Sequence, residues 1–245
     1  TLAMTIRKAR ASVIGGDFLE DQRAGGRRSA KMVHGLHGGN GTIRRRLVGG
    51  MDHGQRLADG DHRVADRGRH GLRIAHRAAA LLGTAGFATA TEERRGWDHG
   101  VFIPMKVALP DADIPLAQVS LRRDLSAVDH IAIGRALAPL RDEGVLIVGS
   151  GMSFHNMRAY GDPRSTPGSQ AFDQWLAESM ELDGPQRAER LAHWADAPSA
   201  RFAHPPAKEE HLLPLMVAAG AAEGEGARVY AEEVLSTAIS GFRFT

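Results

Sequence analysis

The chain has 245 residues, 31 Lys+Arg against 29 Asp+Glu, and no cysteine. This length suffices for a sizeable core, and the absence of cysteine excludes disulfides, thiolate zinc sites and a cysteine nucleophile. No apolar run approaches the roughly 18 residues that a membrane span needs, and Arg7, Lys8 and Arg10 are not followed by the apolar stretch of a signal peptide, so a soluble cytoplasmic protein is expected.

The net charge of +2 conceals an asymmetry. Residues 1–77 carry 16 basic and 7 acidic groups, six of the 12 histidines and none of the 11 prolines. This segment shows no clear period of 2 or 3.6. Its Gly/Arg/His excess fits three origins: a shifted reading frame in GC-rich codons, a divergent N-terminal half of the domain, or a basic nucleic-acid-binding arm. The last lacks the interleaved aromatics of a stacking platform, since Phe18 is the single aromatic there. His34 and His37, separated by two residues, are weak candidates for metal ligands.

From Ala78 the pattern becomes regular. Ala78–Ala85 reads as a helix ended by Gly86, and Phe87–Thr91 as a short strand. In Trp97-Asp98-His99-Gly100, Asp98 is placed to orient His99. The run 101–109 reads as a helix with Pro104 near its start and Met105, Val107, Ala108 and Leu109 on its buried face. Residues 114–121 read as a strand. Asp129–Glu143 reads as an amphipathic helix with Ile131, Ile133, Leu137 and Leu140 inward, and His130 at its start is expected in solvent. Val145–Val148 reads as a strand buried on both faces. The strand, helix, strand order is that of a βαβ unit with parallel strands. The fold class expected is therefore α/β, one domain with a central, partly parallel sheet flanked by helices.

Gly149-Ser150-Gly151 is expected to end that strand and to let another group approach the backbone closely. His155 follows, where open α/β sheets keep their ligand sites. Gln170–Met180 and Pro185–Trp194 read as helices, with Phe172, Trp175, Leu176, Trp194 and Phe202 packing inward. His193 and His204 lack a supporting pattern and read as surface or structural. Glu209 and Glu210 suit a first helical turn, and His211 then leads an apolar helix. A histidine there requires a partner, either a backbone carbonyl or a metal. Ala238–Phe244 reads as a closing strand.

Four stretches together carry a resemblance: Asp98-His-Gly-Val-Phe-Ile-Pro104, Pro110-Asp-Ala-Asp-Ile-Pro115, Gly149-Ser-Gly-Met-Ser-Phe-His-Asn156 and Glu210-His-Leu-Leu-Pro-Leu215. The chain from about Ala78 onward resembles the class III extradiol ring-cleaving dioxygenases, in the DOPA 4,5-dioxygenase-like branch. The resemblance implies a non-haem Fe(II) site, with Zn(II) in some relatives, acting on a catechol and O₂. It implies His211 as a metal ligand, His155 as the acid/base, and His99 as a second pocket histidine contacting substrate or oxygen intermediates. No organic cofactor, membrane or nucleic-acid partner is implied. The family's two N-terminal ligand motifs, of Ser-His-Gly-Ser-Pro and Ser-Ala-His-Trp type, are not found. Val33-His34-Gly35 and Ser29-Ala30-Lys31 are their nearest echoes. Three other readings are a non-catalytic remnant of the fold, a metal-dependent hydrolase with His155 as base, and the nucleic-acid binder.

Overall fold

The computed structural model describes residues 2–6, 12–15, 62–93, 96–109, 111 and 114–245. Two strands open the chain, β1 (Leu2–Ile6) and β2 (Ser12–Gly15). Helix α1 (His62–Thr84) follows. It begins well before Ala78, so the compositional boundary near Arg77 falls inside a continuous helix. Gly86, at φ +82°, provides the left-handed residue that closes it. The strand expected over residues 87–91 does not form, and that stretch is largely irregular.

Helix α2 (His99–Ala108) buries Val101 and Met105, with Pro104 inside it. Val107 points outward at 56% exposure, against expectation. The spacing of Val101 and Met105 is one helical turn, and Val107 lies off that face. Strand β3 (Leu116–Val119) leads to α3 (Ala127–Leu137), α4 (Pro139–Asp142) and β4 (Val145–Gly151). Ser126 caps α3 by accepting from the Asp129 N–H at 3.2 Å. Ile131, Ile133, Leu137 and Leu140 are all buried, but the helix expected over Asp129–Glu143 is divided at Ala138, with Leu140 on α4. Gly144, at φ +81°, makes the turn into β4.

The remaining elements are α5 (Thr166–Met180), α6 (Gly184–Ala192), α7 (Ala200–Ala203), α8 (Leu213–Gly220), β5 (Gly226–Val234) and β6 (Thr237–Phe244). Short 3₁₀ turns precede α5 and α8. Trp194 is buried, but Phe202, expected in the core, is 39% exposed. No helix among the described residues is long and apolar enough to cross a membrane.

The strand order is β3-β1-β4-β2-β6-β5. Here the expected βαβ unit, with its two strands as parallel neighbours, needs correction. Among the described strands, only β2 and β4 pair in parallel, and the other four pairings are antiparallel. Strands β3 and β4 do run in the same direction, because each is antiparallel to β1. They are not neighbours, however: β1 is inserted between them. A local βαβ pattern sets direction but cannot reveal a strand arriving from the far N-terminus.

The central strand β4 is covered on both faces. Val145 and Ile147 join the main core with α1, α3, α5 and α8, whereas Val148 and Leu146 pack under α2 with Val101 and Met105. The pleat produces this alternation. On the main face α3 crosses α8 at close range. A Cβ on Gly134 would lie 2.2 Å from the Val217 carbonyl oxygen, and one on Gly220 would lie 2.3 Å from that of Ile131. Gly134→Ala is therefore expected to destabilise the protein by about 2 kcal/mol, overpacking outweighing the helix propensity of alanine. A thermal melt checks this: Tm should fall by roughly 4–8 °C.

Candidate active site

Strand β4 runs through Gly151, three residues beyond the strand end expected at Val148. The close approach foreseen there is made by backbone. A Cβ on Gly151 would lie 2.1 Å from the carbonyl oxygen of His211, so only glycine admits that contact. The next residue, Met152, donates its N–H to the same carbonyl at 2.9 Å. The end of β4 and the turn carrying His211 are thereby joined.

His211 is not on the apolar helix. It closes the 3₁₀ turn Glu209–His211, ahead of α8. The turn, rather than the helix face, lets its ring stay 26% exposed while Leu212–Ala219 are buried. The imidazoles of His155 and His211 stack with centroids 3.4 Å apart and planes 16° from parallel. A Glu210 carboxylate oxygen lies 3.4 Å from His211 Nδ1. One donor atom from each of His155, Glu210 and His211 falls within 4.8 Å of the others. Two imidazoles and a carboxylate suit a divalent first-row cation such as Fe(II) or Zn(II). Glu210 was legible in the sequence only as a charge suited to a helix start.

Around the pair the backbone is tightly cross-linked. His155 N–H donates to Ala203 O at 3.0 Å, and Asn156 Nδ2 to Phe202 O at 2.8 Å. Tyr160 donates its hydroxyl to Phe154 O at 2.8 Å. Glu209, beside the donor carboxylate, accepts from Arg201 Nη1 at 2.6 Å, and the Arg201 guanidinium lies 4.6 Å from the Trp194 ring centroid. A cavity of about 10 Å³ borders His211, lined by Gly151, Met152, Ser153, Leu215, Ser240 and Phe242. It is far too small for an aromatic ring.

His99 is not brought to this pair by any contact. It is exposed at the first residue of α2 and, among the described residues, has no hydrogen-bond or ion-pair partner, Asp98 included. Gln118 engages Asp98 instead: its Nε2 donates to Asp98 Oδ2, and its Oε1 accepts from Asp98 N–H at 3.1 Å. This reciprocal pair pins the start of α2 to β3. His34 and His37 lie outside the described residues.

One histidine departs from its sequence reading, and another takes the structural alternative left open for it. His130, expected in solvent, is fully buried. Its Nδ1–H donates to Ser126 O at 2.6 Å and its Nε2 accepts from Arg122 N–H at 3.1 Å. His204 is also fully buried, and Nε2–H donates to Ser153 O at 2.9 Å. The core histidine bonded to a carbonyl thus exists, at 204 rather than 211. Burial pushes His204 down to about 4 and lowers His130 as well. Both are neutral in the folded protein, whereas an unfolded histidine titrates near 6.5. The His204 contribution is fully present above about pH 6.5 and is lost as pH falls toward about 4, because the unfolded chain then binds more protons, and His130 acts in the same direction. For His204 the loss is on the order of 3 kcal/mol. Urea melts at pH 7.5 and 4.5 check this, and a midpoint unchanged or higher at pH 4.5 contradicts it.

Residues 60–243 match the catalytic LigB subunit of aromatic ring-opening dioxygenase. The chain belongs to the LigB family. Curated relatives of this LigB-family chain include a 4,5-DOPA dioxygenase extradiol of Beta vulgaris, 39% identical over 63% of this chain and 57% of the relative. A protein of the same name from Escherichia coli is 34% identical over 56% of this chain and 51% of the relative. The dioxygenase tasH of Hapsidospora irregularis is 40% identical over 68% and 55%. The chain thus spans just over half the length of these relatives. The crystal structure of the uncharacterized protein JW3007 from Escherichia coli K12 superposes with a TM-score of 0.66 at 26% identity, covering 83% of this chain and 82% of that one.

Proposed function

We propose that this LigB-family chain is an extradiol dioxygenase, which inserts both atoms of O₂ into a catecholic ring beside the diol. Family membership and the names of its relatives support the reaction class. The observation that carries the assignment onto this chain is the His155–His211 stack with Glu210 beside it. His211 and Glu210 are the metal-holding pair, for Fe(II) or alternatively Zn(II). The metal, when bound, supplies Lewis-acid polarisation and open positions for the two reactants. His155 takes the remaining proton of the diol and returns it as the ring opens. The stack of its ring on His211 and the cross-linked turn that carries it support this role. His99, exposed at the start of α2, contacts substrate from a second side. We further propose one catalytic domain over residues 1–245, soluble and cytoplasmic, with a small aromatic diol as substrate.

Oxygen consumption with a panel of catechols, after anaerobic loading with Fe(II), tests the proposal. Uptake of one O₂ per catechol, with a yellow ring-opened product, is the expected result. No uptake with any catechol supports the non-catalytic remnant, and ester or amide turnover without oxygen supports the hydrolase.

A further inference from the structure

We infer that His204 is a positioning residue for His155, acting through the Ser153 carbonyl rather than touching substrate. The inference rests on the role proposed above for His155.

A carbonyl only accepts, so the 2.9 Å contact with Ser153 O fixes the proton of His204 on Nε2. The ring is enclosed by Phe172 and Trp194, both edge-on, at 5.6 and 6.0 Å between centroids. An apolar ring would fill such a box without the cost of burying an imidazole. What the imidazole adds is one directed hydrogen bond, and its target lies two residues before His155. The preceding residue, Ala203, supplies the carbonyl that accepts from His155 N–H at 3.0 Å. The dipeptide Ala203-His204 therefore grips the turn at residues 153 and 155 together. A third restraint holds the same turn from the sheet: Ser240 N–H donates to Ser153 Oγ at 2.8 Å. The far end of the turn is tied to His211 through Met152. Between these anchors His155 has little freedom to slide off the His211 ring, and a displacement near 1 Å can reduce a rate by roughly a hundredfold.

The test uses the full chain with His204→Phe, which fits the aromatic box but lacks the donor, and His204→Gln, whose side-chain amide can reach the same carbonyl. His204→Leu replaces the phenylalanine variant if that one does not fold. With Fe(II) loaded, the phenylalanine variant is expected to lose kcat by roughly 10- to 100-fold, with KM and bound metal within about 3-fold of the parent, and His204→Gln to recover most of the loss. Amide hydrogen exchange gives a readout independent of turnover: the His155 N–H should exchange about 10-fold faster or more in the phenylalanine variant. Unchanged kcat and unchanged His155 exchange overturn the inference. Equal losses in both variants overturn it too, since the donor would then be irrelevant. Should the parent consume no oxygen with any catechol, the functional reading fails, and the exchange rates alone decide the grip.

Discussion

Replacing His155 by glutamine is expected to lower kcat for catechol cleavage by roughly a hundred- to ten-thousand-fold, the usual contribution of a positioned acid/base. Glutamine retains size and hydrogen-bonding capacity but cannot exchange a proton near neutral pH. Bound metal should stay close to the parent level, because His211 and Glu210 hold the cation in this account. Steady-state oxygen uptake and metal analysis on one preparation check both halves. A variant that loses metal and activity together would make His155 a ligand, and one that keeps full activity would remove it from the chemistry.

Replacing Arg187 is expected to have the largest effect on stability. This arginine is fully buried on α6. Its Nη1 donates to Leu182 O at 3.0 Å and Gly224 O at 2.7 Å, and its Nη2 to Ala219 O at 3.3 Å and Ala222 O at 2.7 Å. The guanidinium also lies 5.1 Å from the Phe244 ring centroid. These carbonyls surround the C-terminal end of α8, where a cation also answers the helix dipole. Arg187→Leu leaves them buried without these donors, at a cost on the order of 3–5 kcal/mol. Arg187→Lys should recover only part of this, since a point charge cannot span the positions of a planar fork. Urea unfolding of the three proteins measures both values, and a leucine variant as stable as the parent would contradict the assignment.

Much of the C-terminal two thirds was legible because its information is local. Ile131, Ile133 and Leu137 line the buried face of α3 with Leu140 following on α4, and Val145–Val148 has the continuous apolar character of a strand covered on both faces. Gly151 announced a close approach, and the approach is to His211. What escaped depends on distant partners. His204 meets Ser153 across 51 positions and Arg187 meets Gly224 across 37; neither leaves a period to read. His130 stands at a helix start like many exposed residues, and only the Arg122 and Ser126 backbones make it a core group. The place of β1 between β3 and β4 was hidden for the same reason: Leu2, Met4 and Ile6 alternate over only five residues, and nothing local shows which strands they join.

The most direct test of the central claim is metal content after anaerobic reconstitution with Fe(II), in the full chain and in His211→Ala. Close to one iron per chain is expected in the parent and loss of most of it in the variant, with catechol-dependent oxygen uptake following the iron. Equal iron in the two proteins, or none held specifically by either, would contradict it.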